Sequence, residues 1–215
     1  IAECWPRAGV YDLFGLTETG SCDFCLTPEA QREGAGSLGH PTEGVAFRIV
    51  GPDGASLPDG EAGELEIRTP FGMLGYLDRP ELTAASFRDG HFRSGDQARV
   101  RPDGRVALVG RLKELVSRGG MKVAPQEIDN LLAAHPDVAA ALAVAMPDAR
   151  LGETIHAMVV LREGAAITGP ELRAWIAERA ERHKVPDVIH PCATLPTGAT
   201  GKADRRAAAR LFAVG

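Results

Sequence analysis

Residues 110–129, with the sequence GRLKELVSRGGMKVAPQEID, lie near the middle of the chain and separate two halves of different composition. The first half is rich in Gly, Pro and Asp and has short apolar runs suited to strands and turns. The second half has Ala-rich helical patterns and two longer apolar runs. The stretch itself combines charged residues, a Gly-Gly pair and a Pro-led helix start, which is typical of a joint. We therefore predict two domains, residues 1–110 and 111–215, with a hinge near 111–113.

The composition is that of a folded globular protein. The chain has 215 residues, 44% hydrophobic and 25% charged, and this length can bury a sizeable core. The formal net charge of −5 argues against nucleic acid as a partner, because phosphate binding usually needs a basic face. No run approaches the ~20 apolar residues of a membrane-spanning helix, and the first residues lack the features of a secretory signal. We expect a cytoplasmic protein without a membrane span.

The cysteine and histidine positions argue against a metal centre made from these residues. Cys22 and Cys25 have the two-residue separation of zinc and redox motifs. A structural zinc site needs a second ligand pair at similar spacing, and the sequence has none. The six histidines are scattered without ligand spacing. We expect ordinary thiols in a reducing compartment.

Short apolar runs between turn signals characterise residues 34–110. Strand-like runs lie at 45–50, 63–68 and 106–109, separated by turns such as 51–54 (GPDG). The second run alternates apolar and charged residues, which predicts an antiparallel strand buried on one face only. This spacing favours a small distorted barrel or sandwich.

A loop of small, hydroxyl and acidic residues follows the apolar run that ends at Phe14. From these residues alone, a strand and a simple turn are the favoured interpretation. The alternative is functional, because α/β sheets place binding loops at the carboxyl ends of strands. Thr17 would then hold a phosphate oxygen and Glu18 a Mg²⁺ ion, which prefers carboxylate and phosphate oxygens.

Asp96 ends the segment 90–96 (GHFRSGD). An Asp after a Gly is most often a turn residue that satisfies its own backbone. Its functional alternative is ribose binding, because an ionised carboxylate offers only acceptor oxygens and can take both hydroxyls of a diol.

The second half predicts a compact α+β domain of about 105 residues. Pro125 begins an amphipathic helix that ends near residue 135, and 138–146 and 155–161 read as strands. Thr168 starts a capping box for a helix that runs to about Arg182, and a final helix follows from about residue 204.

A flexible loop at residues 195–202 carries one lysine, Lys202. The common interpretation of such a lysine is a solvated charge on a turn. The functional interpretation is an ammonium group, brought by a mobile loop, that stabilises developing negative charge.

The order of several motifs resembles the adenylate-forming superfamily of acyl-CoA synthetases, peptide-synthetase adenylation domains and luciferases. The resemblance covers essentially the whole chain. The motifs are 14–18 (FGLTE), 94–96 (SGD), 110–113 (GRLK), 118–128 (RGGMKVAPQEI) and 200–202 (TGK). The implied fold is the barrel-like part of a large domain with a short piece of its α/β lobe, followed by a small mobile α+β domain.

The resemblance implies an AMP-forming ligase that uses ATP, Mg²⁺ and CoA. A carboxylic acid attacks the α-phosphate of ATP, and a thiol then displaces AMP from the acyl-adenylate, with rotation of the small domain between the steps. It further implies that Phe14 lies against adenine, Thr17 touches the AMP phosphate, and Glu18 helps to hold Mg²⁺. Asp12 and Gly15 belong to the same nucleotide-binding segment.

Further roles follow from the later motifs. Asp96 is implied to bind the ribose hydroxyls, with Arg111 close to the same nucleotide. Lys113 corresponds to the hinge, and Lys202 to a catalytic lysine that bridges carboxylate and phosphate oxygens. The CoA channel is implied to contain Ser117, Arg118, Gly119 and Gly120, since glycines let the backbone line a narrow passage.

Four residues depart from the usual family pattern, and none is expected to disable an enzyme. Phe14 replaces a Tyr, which keeps stacking but loses a phenolic hydrogen bond. Ser94 replaces a Thr, Asp129 a Glu, and Ala203 an aliphatic residue.

The largest departure is the lack of the family's upstream phosphate-binding loop and acyl pocket. We therefore expect the chain to be the carboxyl-terminal part of a synthetase, missing its amino-terminal part and inactive alone. CoA is the favoured acceptor, because 117–123 (SRGGMKV) resembles the acyl- and aryl-CoA ligases. The alternatives are an enzyme that loads a carrier-protein thiol and a non-catalytic nucleotide-binding fragment. The acid and the oligomeric state are not indicated.

Overall fold

The structure is a computed structural model that describes residues 4, 7–198 and 201–214. The chain divides into two compact units, which meet in sequence at Val109 and Gly110. No helix among the described residues is long and apolar enough to span a membrane. The mixed α and β content and the β-rich first half confirm the predicted fold class.

The described part of the first unit contains antiparallel strand pairs in two sheets. A three-stranded sheet has the order β1-β2-β3, and a five-stranded sheet has the order β4-β5-β7-β6, with β8 paired to β7. The strands are β1 (Asp12–Phe14), β2 (Phe24–Leu26), β3 (His40–Pro41), β4 (Ala46–Val50), β5 (Gly63–Arg68), β6 (Phe87–Arg88), β7 (His91–Val100) and β8 (Val106–Arg111). Helix α1 (Pro80–Ser86) precedes β6.

The core of this unit forms on one face of β5. Leu65 and Ile67 alternate along the strand and are almost fully buried, together with Phe24 and Val106. Phe24 packs edge-on against Phe47, with ring centroids 5.3 Å apart. The two-residue period of a strand therefore places the apolar half of the GELEIR run in the core, as predicted.

The other face of β5 is buried as well, which the alternating pattern did not predict. Glu66 has no exposed side-chain surface, and Glu64 is also buried. Arg48 Nε and Nη2 both contact Glu66 Oε2 at 2.8 Å, and Arg88 Nη1 lies 3.1 Å from Oε1. Arg93 forms an ion pair with Glu64 at 2.9 Å. The prediction of a strand exposed on one face was wrong because arginines from β4, β6 and β7 cover the carboxylates.

The second unit is built on a five-stranded sheet. Its order is β10-β9-β12-β11, and β13 pairs with β12 in parallel. The strands are β9 (Val116–Arg118), β10 (Met121–Val123), β11 (Val138–Asp148), β12 (Gly152–Leu161) and β13 (Val188–Pro191). The helices are α2 (Pro125–Ala133), α3 (Gly169–Ala177) and α4 (Arg205–Val214).

The predicted helices and strands of this unit are present, but the two central strands are longer than predicted and helix α3 is shorter. The capping box forms, because the Thr168 amide donates to Glu171 Oε2 at 2.8 Å and the Glu171 amide to Thr168 Oγ1 at 3.4 Å. Helix α3 ends at Ala177 rather than near Arg182, where the chain forms a separate 3₁₀ turn. Residues 177–182 (AERAER) contain no large apolar side chain to bury, and packing of an apolar face supplies most helix stability.

Helix α4 packs one aromatic side chain against two histidines of the sheet. The ring of Phe212 lies 5.2 Å from His156 and 4.8 Å from His190, and the two imidazoles are stacked at 6.3 Å. Burial lowers the pKa of His156, the neighbouring His190 lowers it further, and Asp187 partly opposes both effects. The folded unit therefore favours the neutral form of His156.

We expect the second unit to lose stability as the pH falls from about 7.5 to about 5.5. Histidine in the unfolded chain has its ordinary pKa of about 6.5, so the unfolded state takes up more protons in this range and is favoured. Urea midpoints at both pH values, followed by hydrogen exchange of the β12 amides, measure the effect. The His156→Phe variant should show a weaker pH dependence, and an unchanged dependence would contradict the role of His156.

Candidate active site

The segment after β1 folds as a tight loop that only glycine can begin. A Cβ atom on Gly15 would lie 2.3 Å from the carbonyl carbon of Ser21 and 2.5 Å from the amide nitrogen of Cys22. The Leu16 carbonyl accepts hydrogen bonds from the amides of Thr19 at 3.1 Å and Ser21 at 2.9 Å. The backbone of residues 15–22 is therefore folded closely on itself, with a 3₁₀ turn at Thr17–Thr19.

We expect Gly15→Ala to lower the free energy of unfolding of the first unit by about 1–3 kcal/mol, because the added methyl overpacks rigid backbone. Gly72→Ala is the matched control. Its Cβ would meet its nearest neighbour, the Glu18 carbonyl oxygen, at 3.4 Å, and neither glycine has a positive φ. Urea denaturation of both variants measures the difference. Equal stability of the two would show that the close approach at Gly15 is unimportant.

A buried acid, Asp23, stabilises this loop, and no role for it was predicted from the sequence. The hydroxyl of Thr19 donates to Asp23 Oδ2, and the Leu16 amide donates to the same oxygen at 3.4 Å. Asp23 is fully buried, and burial raises the pKa of its carboxyl. The only local signal is an acid four residues after a hydroxyl, and the segment was considered for the spacing of Cys22 and Cys25 alone, which was rejected as a metal motif.

Glu18 is held by a tyrosine that is distant in sequence. The hydroxyl of Tyr76 donates to Glu18 Oε1 at 2.9 Å. Burial raises the pKa of Tyr76, and the hydrogen bond to the Glu18 carboxylate raises it further. The backbone also connects these segments, since the Met73 amide donates to the Glu18 carbonyl at 2.8 Å. No local pattern links residues 58 positions apart, so this partner could not be found from the sequence.

The other predicted nucleotide contacts of the loop differ in exposure. Thr17 and Asp12 are exposed, whereas Phe14 is half-buried. The Phe14 ring lies 6.1 Å from the Phe24 ring and packs at the edge of the core. Glu18 and Thr17 are thus neighbours on one 3₁₀ turn, and Phe14 lies on the preceding strand.

Asp96 lies within strand β7 and not in a turn, so the favoured interpretation from the sequence was wrong. Three residues, 94–96, stand opposite one residue of β5, because Glu64 pairs with Gln97 and Glu66 with Arg93. Gly95 has φ +71°. This bulge redirects the following side chain, as bulges commonly do.

The bulge is fixed by the serine that precedes the glycine. Ser94 Oγ donates to the Leu65 carbonyl at 2.6 Å and accepts from the Asp96 amide at 3.0 Å. Asp96 is 2% exposed. The hydroxyl at position 94 therefore has a structural role that either Ser or Thr can fill.

In the second unit, the predicted catalytic lysine and the predicted hinge lysine share one cavity. Lys202, Lys113 and Arg111 line a space of about 950 Å³. Lys202 and Lys113 are both exposed. Of the predicted motif at 200–202, Thr200 lies outside the described residues. The fold brings Lys202 together with Arg111 and Lys113, which lie 91 and 89 positions earlier in the sequence.

The glycines of the predicted CoA channel form a two-residue hairpin turn. Gly119 and Gly120 connect β9 to β10 and have φ of +58° and +85°. Two positive φ values are typical of the hairpin turns that suit twisted strands, so the turn itself requires glycine. The amide of Ser117, on β9, donates to Glu153 Oε2 at 2.5 Å.

Arg118 is engaged within the second unit. Its Nη2 forms an ion pair with Asp187 at 2.5 Å, and its Nη1 donates to the carbonyls of His183 at 3.0 Å and Val185 at 2.7 Å. It also lines a cavity of about 740 Å³ beside Gly119. Other cations line the same cavity, namely Arg150, Arg173 and Arg182.

Comparison with known proteins places these features in a family. The family described as "AMP-binding enzyme" matches residues 1–77, and the family described as "AMP-binding enzyme C-terminal domain" matches residues 127–202. The chain belongs to the adenylate-forming superfamily. Members with related sequences include a feruloyl-CoA synthase from Amycolatopsis sp, 40% identical over 189 residues, and an oxalate–CoA ligase from Saccharomyces cerevisiae, 37% identical over 209 residues. These alignments cover 88% and 96% of this chain and 38% of each relative.

Solved structures of adenylate-forming enzymes have the same fold. The amide bond synthetase McbA from Marinactinospora thermotolerans superposes with a TM-score of 0.89 at 31% identity, covering 94% of this chain and 42% of McbA. The o-succinylbenzoate CoA synthetase from Bacillus subtilis, in complex with its acyl-adenylate, superposes with a TM-score of 0.82 at 30% identity, covering 95% and 42%. The chain thus spans about two fifths of the length of the relatives it matches.

Proposed function

We propose that the chain is the carboxyl-terminal part of an AMP-forming acid–CoA ligase, which activates a carboxylic acid with ATP and transfers the acyl group to CoA. The observation that carries the proposal is the cavity shared by Lys202, Lys113 and Arg111. Lys202 is exposed and lines the same cavity as the predicted hinge residue Lys113. This arrangement suits a reaction in which the small unit brings Lys202 to the nucleotide in one step and withdraws it in the next.

The first step joins two anions, which explains the need for a cation beside the reacting groups. A carboxylate oxygen attacks the α-phosphorus of ATP, the bond to the β-phosphate oxygen breaks, and pyrophosphate leaves with that electron pair. Negative charge collects on the equatorial oxygens of the α-phosphate. The ammonium group of Lys202 would bridge these oxygens and the attacking carboxylate, and such fixed charges stabilise the transition state more than the ground state.

The first unit would hold the nucleotide. Asp96 would accept both ribose hydroxyls, Phe14 would lie against adenine, and Thr17 would donate to the phosphate of AMP. The buried bulge supports the assignment of Asp96, because its backbone is fixed before a ligand arrives. Asp12 and Gly15 would shape the same segment, and Arg111 would lie near the nucleotide.

The donor set around Glu18 fits a Mg²⁺ ion held mainly by its substrate. Mg²⁺ commonly takes one or two protein carboxylates and completes its shell with phosphate oxygens and water. Tyr76 orients one oxygen of Glu18 and so fixes the direction of the carboxylate. When bound, the ion would neutralise the polyphosphate and help pyrophosphate to leave.

The acceptor thiol is proposed to be that of CoA. The cavity beside Gly119 is lined by several arginines, and its positive charge suits the phosphates of the CoA nucleotide. Several relatives are named as a CoA synthase or as CoA ligases, including a ligase for sulfoacetate from Cupriavidus necator, 38% identical. Another relative, 37% identical, is named a fatty acid–acyl-carrier-protein ligase, so a carrier thiol is the second candidate.

Acid-dependent exchange of labelled pyrophosphate into ATP tests the proposal. We expect exchange by the product of the complete reading frame with at least one acid from a panel that includes ferulate, sulfoacetate and oxalate, and none by the 215-residue chain alone. Supplying free CoA or a phosphopantetheinylated carrier then identifies the acceptor. Robust exchange by the chain alone would contradict its assignment as a part. Nucleotide binding without exchange by the complete protein would favour a non-catalytic role.

A further inference from the structure

Arg205, the first residue of α4, connects three parts of the second unit. Its Nε donates to Glu114 Oε2 at 2.8 Å, and its Nη2 donates to Asp129 Oδ2 at 2.7 Å. Its Nη1 donates to the carbonyl of Ala143 at 2.8 Å. The partners lie 62 to 91 residues before Arg205 in sequence. A single guanidinium therefore joins α4 to the segment after the predicted hinge, to α2 and to β11.

The contact with α2 is buried and charged. Asp129 is 7% exposed, and its second oxygen accepts from the Ala143 amide at 2.5 Å. Burial raises the pKa of the Asp129 carboxyl, and the Arg205 guanidinium only partly offsets this effect. The geometry is demanding, because the three contacts use three different guanidinium nitrogens, and the single ammonium nitrogen of a lysine cannot reach all three positions.

The loop that carries Lys202 is closed at its base, directly before Arg205. Thr197 pairs with Ala203 in an antiparallel bridge, and the Gly198 amide donates to the Lys202 carbonyl at 2.8 Å. The Asp204 amide donates to the Pro196 carbonyl at 2.9 Å. The contacts of residues 202–204 therefore set the position of this loop. Arg205 directly follows these residues, so the contacts of its side chain fix the end of the loop.

The contact of Arg205 with Glu114 lies next to the predicted hinge. Glu114 follows the predicted hinge residue Lys113 in the 3₁₀ turn Leu112–Glu114. We propose that Arg205 is a positioning residue that ties the Lys202 loop to Glu114, so that both move as one rigid body. Rotation of the small unit would then be confined to residues before Glu114. This inference rests on the proposed roles of Lys202 and Lys113.

Hydrogen exchange of the 215-residue chain tests the connection without requiring any catalysis. Arg205→Lys keeps the charge next to Asp129 but cannot make all three contacts, and Glu114→Gln weakens only the contact at the hinge side. We expect both variants to raise amide exchange about tenfold at residues 112–114 and 201–204, which corresponds to about 1.4 kcal/mol of lost local protection. Arg206→Ala, an exposed cation in the same cavity, is the matched control and should change neither segment.

A general loss of stability would produce a different result. Ile176→Val shortens a fully buried core residue that is not a partner of Arg205 and should lower stability without selective exchange at the two segments. The proposal is wrong if Glu114→Gln leaves 201–204 at the wild-type rate, or if Ile176→Val raises exchange there as much as Arg205→Lys. Because this readout needs no adenylation, its failure is separate from a failure of pyrophosphate exchange.

In the complete synthetase, the same connection predicts a kinetic split. Arg205→Lys should lower kcat of pyrophosphate exchange about tenfold with little change in the KM for ATP. The reason is that Lys202 would be misplaced while the nucleotide site in the first unit stays intact. An equal rise in KM with unchanged kcat would instead indicate a direct nucleotide contact and would overturn the positioning role.

Discussion

Lys202→Ala is expected to reduce acid-dependent pyrophosphate exchange by the complete synthetase about 100-fold to 1,000-fold, which is typical for removal of one group that stabilises developing charge. The lysine would act only while the carboxylate approaches the α-phosphate. Thioester formation from a preformed acyl-adenylate should therefore keep its wild-type rate. Single-turnover measurements of the two half-reactions, started from ATP and from the adenylate, separate these effects.

The matched control is Arg210→Ala, because Arg210 is an exposed cation on the following helix. It should leave both half-reactions unchanged, which excludes a general effect of surface charge. If Lys202→Ala slowed both half-reactions equally, the lysine would not be specific to adenylation. If it slowed neither, the assignment of Lys202 as the catalytic lysine would be wrong.

Glu66→Ala is expected to lower the free energy of unfolding of the first unit by about 3–5 kcal/mol, as removal of one partner from a buried ion cluster typically does. Glu66 is fully buried between Arg48 and Arg88, and its loss would leave their charges without this carboxylate in a partly dry environment. Urea denaturation, with hydrogen exchange of the β5 amides as the local readout, measures the change.

Two further variants sharpen this experiment. Glu61→Ala, at an exposed position, should cost less than about 0.5 kcal/mol, as surface substitutions usually do. Glu66→Leu would show whether the carboxylate itself is needed, because a well-packed apolar residue can sometimes replace a buried ion pair. A loss below about 1 kcal/mol for Glu66→Ala would contradict the importance of the cluster.

The elements of the fold could largely be predicted from the sequence because their signals are local. Pro125, the Thr168 capping box and the alternation along 63–68 each act over a few residues, and the structure has the helices and strands that they predict. The burial of Glu66 could not be predicted in this way. It depends on arginines that are brought to β5 by strand pairing, and the nearest of them in sequence is 18 residues away.

The candidate site shows the same division between local and distant information. The family motifs indicated Glu18, Asp96 and Lys202, but not the groups that orient them. Tyr76 and Arg205 reach their partners only through the tertiary fold, and neither position has a distinctive local pattern. Asp96 was misread as a turn residue, because a Gly followed by an Asp has the same sequence signature in a turn and in a bulge.

The bulge at residues 94–96 also bears on the thermodynamics of nucleotide binding. Its backbone is already fixed by the hydrogen bonds of Ser94 to the Leu65 carbonyl and from the Asp96 amide. The conformational entropy of ordering this segment is therefore lost when the protein folds and not when the ligand binds. In the proposed role of Asp96, the preference for ribose over 2′,3′-dideoxyribose should be mainly enthalpic, with little entropic cost from the protein.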